Sequence, residues 1–345
     1  MHVSNIKAET PAEVLRTILC GSNPIMLRLD EEMTRVAHSN HSVLITGESG
    51  TGKTTVAQII HQRSPRANAC LVDINCAALP DTLIESELFG FERGAFTGAT
   101  RRKEGLFEVA EKGTLFLDEI GELRPEVQAK LLKAIEQQKI RRLGGTRDIY
   151  CDVRVVAASS RNLQRMVRAG TFREDLYYRI SVFELEIPAL RERPDDIREL
   201  INRQLATEQT KSASSEPVQI EERALSALSS YSWPGNIRQL HNVLARLACL
   251  TDGQPISQAD VLAVLVRFKV LDADTIILPH SCSTLLAGEC LEDFSHRVRG
   301  QVIDAVKNRM NGNLSRAAQR LKVDRSSLHK IIQRINTRAK SKSVS

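Results

Sequence analysis

A three-layer α/β domain with a parallel sheet, followed by a helical subdomain and a small all-α domain, is the fold class this 345-residue sequence predicts. Three observations carry it. Short apolar strands alternate with helical segments through the first half, and the strand pattern stops after "VFELEI" at 182–187. The C-terminal tail is then basic and helically periodic.

Composition narrows the class. With 42% hydrophobic and 26% charged residues, the chain reads as globular rather than disordered. No apolar run approaches the roughly 18–20 residues that span a bilayer, and the N-terminus lacks the basic start and apolar core of a secretory signal. The seven cysteines (20, 70, 76, 151, 249, 282, 290) include no C-x-x-C pair and read as reduced thiols of a cytoplasmic protein. The histidines form no zinc spacing, so no metal is expected beyond a nucleotide's magnesium.

The first strand, Val43–Thr46, runs into Gly47, Glu48, Ser49, Gly50, Thr51, Gly52, Lys53 and Thr54, then into helical "VAQIIHQ". This is the phosphate-loop pattern G-x-x-x-x-G-K-[ST] in its strand–loop–helix setting. Backbone N–H groups of such a loop converge on phosphate oxygens at a helix N-terminus. Lys53 would neutralise the β- and γ-phosphates, and the Thr54 hydroxyl would ligate Mg²⁺. A nucleoside triphosphate is the expected ligand.

Next comes "GFERGAFTGA" at 90–99, too glycine-rich for a helix or strand interior yet too apolar for an ordinary solvated loop. Gly94 and Gly98 would let it rise and fold back with Phe96 and Thr97 at the tip. The alternative is a buried turn that holds Phe96 in the core. "KGTLFLDEIGEL" then ends an apolar strand in Asp118 and Glu119, which suit a Mg²⁺ shell and an attacking water respectively.

Two further strands, 153–159 and 182–187, complete the sheet, and 197–268 reads as helices. Within "SWPGNIRQL", Pro234–Gly235 is a turn and Asn236 is expected to cap a helix that turns Ile237, Leu240, Leu244 and Leu247 inward. Arg238 falls in that helix's first turn, where a cation opposes the dipole unless an anion such as a nucleotide phosphate approaches.

The tail holds the positive charge. Residues 291–345 carry 13 Lys/Arg against 4 Asp/Glu, whereas the rest of the chain carries 35 against 38. "GNLSRAAQRLKVDRSSLHKIIQRI" places Leu314, Ala317, Ala318 and Leu321 on one helical face, and Leu328, Ile331, Ile332 and Ile335 on another. Arg325, Ser326, Ser327, Lys330 and Arg334 stay off that second face. Two short helices joined by a tight turn, the second basic, are a helix-turn-helix and predict DNA binding.

Taken together, "GESGTGKT", "NCAAL", "ELFGFERGAFTGA", "GTLFLDEIGEL", "FREDLYYRI", "LRERPDDI" and "WPGNIRQL" resemble the AAA+ ATPase domain of bacterial sigma-54-dependent transcription activators, the enhancer-binding proteins. The tail resembles their Fis-type helix-turn-helix. The likeness covers about 21–265 and 300–335. It implies a short N-terminal segment (1–20), an α/β ATPase subdomain (21–190), a helical lid (191–268), a linker (269–290) and a DNA-binding domain (291–345).

The resemblance also implies a cytoplasmic activator that binds ATP and Mg²⁺, upstream double-stranded DNA and sigma-54 RNA polymerase. Its ATPase would work as a homo-oligomeric ring, usually a hexamer, that turns the closed promoter complex into an open one. Asp118 and Glu119 would serve magnesium and water, and Asn75 would contact the catalytic glutamate. Arg173 and Arg179 would reach into the neighbouring subunit's site, and Arg238 would sense the γ-phosphate. Gly94, Ala95, Phe96, Thr97, Gly98 and Ala99 would touch sigma-54.

Three residues depart from the pattern. Ser160 stands at the sensor asparagine, Thr54 where many members carry glutamate, and Gln239 at the common glutamate of "WPGNIREL". With about twenty residues ahead of the ATPase, no receiver or ligand-sensing domain is expected, and control would come from a separate regulatory protein, from expression level, or from nothing at all. The rival reading is a regulator of ordinary promoters in which nucleotide only controls oligomerisation; an intact "GAFTGA" argues against it.

Overall fold

The structure is a computed structural model and describes residues 23–211, 218–251 and 254–267. The segments expected at 1–20 and 269–290 lie outside the described residues, as does the predicted helix-turn-helix with Arg325, Ser326, Ser327, Lys330 and Arg334.

The described chain opens with α1 (Pro24–Ala37), β1 (Val43–Thr46), α2 (Lys53–Gln62), β2 (Leu71–Asn75), α3 (Asp81–Phe89) and α4 (Leu106–Val109). Then follow β3 (Thr114–Asp118), α5 (Pro125–Gln137), β4 (Lys139–Ile140), β5 (Ile149–Tyr150), β6 (Arg154–Ser159), α6 (Leu163–Arg168), α7 (Glu174–Ile180) and β7 (Phe183–Glu186). Helices α8 (Pro194–Lys211), α9 (Glu222–Ser229), α10 (Asn236–Leu250) and α11 (Gln258–Arg267) form the lid.

Five strands make one sheet in the order β2-β3-β6-β1-β7. Every pairing in it is parallel. A parallel sheet is covered on both faces, so its central strands are continuously apolar. Val43, Leu44 and Ile45 of β1 are fully buried, as are Val156, Ala157 and Ala158 beside them on β6. The carboxyl ends of β1 and β3 therefore lie at one edge, where α/β sheets place their ligands.

Four strands were expected from the sequence and the structure contains all of them; it adds β2 at the sheet edge and a small antiparallel β4–β5 hairpin. Strand β2 alternates in burial, with Asp73 exposed between Val72 and Ile74, as on an edge. Its register sets Asn75 opposite Asp118.

Arg154 is a charged residue inside the sheet, 1% exposed. Its guanidinium donates to the Ala37 and Val36 carbonyls, at 2.9 and 2.8 Å, and so satisfies the C-terminal end of α1. In the lid, Trp233 is fully buried and its indole N–H donates to the Leu228 carbonyl at 2.9 Å. Ile237, Leu240, Leu244 and Leu247 all point into the lid core, as the spacing predicts. No helix among the described residues is long and apolar enough to cross a membrane.

Candidate active site and contact loop

A cavity of about 570 Å³ opens between the β1–α2 loop and the lid, lined by Ser49, Gly50, Gly52, Lys53, Thr54, Thr55, Asn75, Asp118, Glu119, Ile237, Arg238, His241 and Asn242. Its floor is the predicted phosphate loop. Gly47, Gly50 and Gly52 take positive φ angles of 147°, 81° and 105°, and helix α2 begins at Lys53. This aims the helix N-terminus at the cavity. Thr51 is fully buried, and its hydroxyl donates to the Glu48 carbonyl at 2.8 Å, bracing the loop from within.

Lys53 is only 6% exposed. Its ammonium donates to the Gly47 carbonyl at 3.1 Å and lies 3.5 Å from Glu119 Oε1. The other carboxylate oxygen of Glu119, Oε2, accepts from the Ser160 hydroxyl at 2.7 Å and the Ser160 amide at 2.9 Å. Burial pushes the Glu119 carboxyl up, but the two Ser160 hydrogen bonds and Lys53 outweigh it and hold the group below its ordinary range. Asp118 moves the other way, raised by burial and by the negative charge of Glu119 beside it. Glu119 also sits in the left-handed region, at φ 52°, an uncommon conformation for a residue with a Cβ.

Asn75 lines the cavity, but its side chain does not reach Glu119 in this structure; Asn75 Oδ1 accepts from the Ala77 amide at 2.8 Å. Ser160, the residue that departs from the family pattern, occupies the glutamate instead. A hydroxyl on the end of β6 is short, and here the backbone amide of the same residue supplies the second hydrogen bond.

Glu48 lies on the phosphate loop, whose backbone amides are the expected phosphate donors. Its carboxylate is not in the cavity: it receives a two-pronged pair of hydrogen bonds from Arg191, at 2.9 and 2.7 Å. Asn236 is a correction to the capping expectation. It heads α10 but does not cap it, because its φ of 50° swings the side chain away from the helix amides. Asn236 Nδ2 donates to Glu48 and to the Ser49 carbonyl, and its Oδ1 accepts from the Leu190 amide. Gln239 caps that end, accepting from the Gly235 amide at 2.9 Å. A glutamine oxygen does this as a glutamate would.

Arg238 projects into the cavity and donates to the Ser49 hydroxyl at 3.3 Å. Sequence reasoning missed His241 and Asn242, which join it by helical spacing three and four residues on. Arg173 and Arg179 lie outside the cavity. Arg173 forks onto Asp175 at 3.0 and 2.6 Å, and Arg179 donates to the Ile135 carbonyl at 3.4 Å.

The 90–99 loop is pinned at its base and open at its tip. Phe91 bridges to both Lys103 and Leu143. Arg142, 8% exposed, joins Glu92 at 2.8 Å and grips both oxygens of Glu108. Phe96 is 45% exposed, with its ring edge-on to Phe91 at 5.0 Å, so it is not held in the core. Thr97 is exposed and Ala99 is buried, while Gly94 and Gly98 take φ angles of 81° and 103° with no atom near their absent Cβ.

These residues fit a phosphate-bearing ligand. A helix N-terminus, an ammonium and a lid guanidinium supply the donors, and Thr54 with Asp118 supplies oxygens suited to Mg²⁺. Comparison with known proteins gives the same direction. Residues 19–186 match the sigma-54 interaction domain, and 191–270 match the AAA+ ATPase lid domain. The anaerobic nitric oxide reductase transcription regulator NorR of Aeromonas salmonicida is 42% identical over 324 residues, 93% of this chain and 64% of NorR. The chain thus spans less than two thirds of that relative's length. The transcriptional regulatory protein GlrR of Escherichia coli K12 is 42% identical over 321 residues, 92% of this chain and 68% of GlrR. Among solved structures, NtrX from Brucella abortus in complex with ADP superposes with a TM-score of 0.69 at 34% identity, covering 94% of this chain and 71% of NtrX. A phosphate loop, an acidic strand end, a lid and an exposed "GAFTGA" tip on one scaffold accord with these likenesses, and the chain belongs to the sigma-54-dependent transcription activators.

Proposed function

We propose that the chain is a mechanochemical transcription activator that hydrolyses ATP to drive sigma-54 RNA polymerase from the closed to the open promoter complex. The observation that carries this reading is the pairing of a phosphate-loop cavity containing Asp118 and Glu119 with an exposed Phe96 on a loop braced against the same domain. Lys53, the loop amides and Arg238 hold the phosphates of ATP. Thr54 and Asp118 hold Mg²⁺, which offsets charge on the phosphate oxygens.

Glu119 orients the attacking water and takes its proton, and in its observed position both of its oxygens are engaged by Lys53 and Ser160. Arg173 and Arg179 are exposed and outside their own subunit's cavity, which suits delivery into the site of a neighbouring copy in a ring, as a hexamer would provide. Asn75 lies near enough along the sheet edge to report the state of the acidic pair. The "GAFTGA" tip contacts sigma-54. The basic C-terminal residues Arg325, Ser326, Ser327, Lys330 and Arg334 contact upstream DNA.

The test is transcription from a sigma-54 promoter in vitro, with ATP or a non-hydrolysable analogue, by wild type and Glu119→Gln. Open complexes form with ATP and wild type alone, while Glu119→Gln binds ATP and turns it over at least about 100-fold more slowly. Equal activation without hydrolysis refutes the motor. Ordinary turnover by Glu119→Gln removes its role as base.

A further inference from the structure

Glu48 occupies a phosphate-loop position, yet its carboxylate turns out of the cavity toward the segment that joins the sheet domain to the lid. Arg191 lies in the 3₁₀ turn Leu190–Glu192, between β7 and α8, and clasps Glu48 with both guanidinium nitrogens. That fork, followed by the hydrogen bond from Asn236, holds the Glu48 carboxyl down at about 2. Asn236 is the common node. It is fully buried and bonds at once to Glu48 at 3.1 Å, to the Ser49 carbonyl at 3.0 Å and to the Leu190 amide at 2.8 Å. So one side chain touches the phosphate loop, the hinge and the start of the lid helix.

Packing reinforces the junction. A Cβ on Gly50 would lie 2.4 Å from the Gly235 carbonyl, so the phosphate loop and the "WPGN" turn are in direct backbone contact. The Arg238 amide also donates to the Gly50 carbonyl at 3.3 Å. An element that contacts three bodies transmits the displacement of one to the others, and the coupling is reciprocal.

We propose that Glu48, Arg191 and Asn236 form a latch that ties the phosphate loop to the hinge and lid, and that closure of this latch sets nucleotide affinity. The Glu48 carboxylate is then a positioning group, while its backbone stays part of the phosphate loop. This rests on the ATPase reading above. The closed latch seen here holds Arg238 over the phosphate loop, so nucleotide binds between loop and lid already set for it.

The pair is solvent-accessible, with Arg191 44% and Glu48 43% exposed, so its direct contribution to folding is small. That separates a latch from a mere surface ion pair. Titration with a fluorescent ADP is carried out on wild type, Glu48→Gln, Arg191→Gln and the double variant, with thermal unfolding in parallel. Each single substitution weakens binding about ten-fold with little change in melting temperature, and the double variant binds no worse than either single. With ATP as substrate, the loss falls more on KM than on kcat. Binding equal to wild type in both singles, or losses that multiply in the double, overturns the latch. Failure of the wild type itself to bind refutes the nucleotide reading instead.

Discussion

The phosphate loop and the 90–99 loop are both glycine-rich, and the structure uses them in opposite ways. In the first, the chain is braced along its whole length: Thr51 ties back to Glu48, Lys53 to Gly47, and Gly50 abuts the Gly235 carbonyl. In the second, the side-chain bracing is at the base, where Phe91 bridges to two neighbours and Arg142 grips Glu92 and Glu108. The tip is closed by backbone bonds such as Gly94 N–H to the Ala99 carbonyl at 2.9 Å. Beyond the base, Gly94 and Gly98 are glycine for their backbone angle alone, since open space surrounds each. The first loop is braced by side chains along its length, and the second only where it is mounted. The contrast gives three ways to break it.

The largest effect is expected from the mount. Arg142 is almost fully buried, and its removal leaves Glu92 and Glu108 without the guanidinium that pairs with them. Arg142→Ala should lower folding stability by about 3 kcal/mol, read as a fall in melting temperature. It should also speed trypsin cleavage at Arg93, Arg101 and Arg102, because the base of the loop is then as free as its tip. An unchanged melting temperature with unchanged cleavage would mean that Phe91 and its bridges carry the mount alone.

A smaller effect is expected in the cavity, at Ser160. The folded Glu119 carboxyl lies below its ordinary 4.5 because Ser160 and Lys53 overcome the effect of burial. A lowered carboxyl contributes stability that is present above the ordinary value and fades as pH falls through the folded one. Ser160→Ala removes the hydroxyl and keeps the amide, so Glu119 rises part of the way back. Melting temperature should therefore drop relative to wild type above pH 4.5, and the difference should shrink on acidification. In the pH profile of kcat, the acid limb should move to higher pH. An acid limb that stays in place would show that the Ser160 contact is absent from the catalytic state.

How much of this was readable beforehand follows from how far each signal extends along the chain. Strand–loop–helix motifs are local, so β1, the phosphate loop and the Asp118–Glu119 strand end were visible in the sequence. The lid face of α10 was visible too, because Ile237, Leu240, Leu244 and Leu247 repeat at helical spacing. What was not readable depends on residues far apart in sequence. Glu48 meets Arg191 across 143 positions, and Ser160 meets Glu119 across 41. Asn236 misled for a different reason: an asparagine before an apolar helix is a good cap by type, and only its positive φ, imposed by the packed "WPGN" turn, sends the side chain elsewhere.

The smallest effect on the fold, and the sharpest test of the comparison, belongs to the tip. Thr97 is exposed, and its neighbour Gly98 has no atom within 4 Å of a would-be Cβ. Thr97→Ala should change stability by no more than about 0.5 kcal/mol, as at most surface positions. ATPase turnover should stay near wild type, since the cavity residues are untouched. Activation of a sigma-54 promoter should nonetheless be lost, because a side chain that does nothing for its own domain is placed to act on another. A fall in stability as large as that of Arg142→Ala would make the tip part of the core after all. Retained activation would move the contact to Phe96, whose ring rests on Phe91 and so links the free end of the loop to its mount.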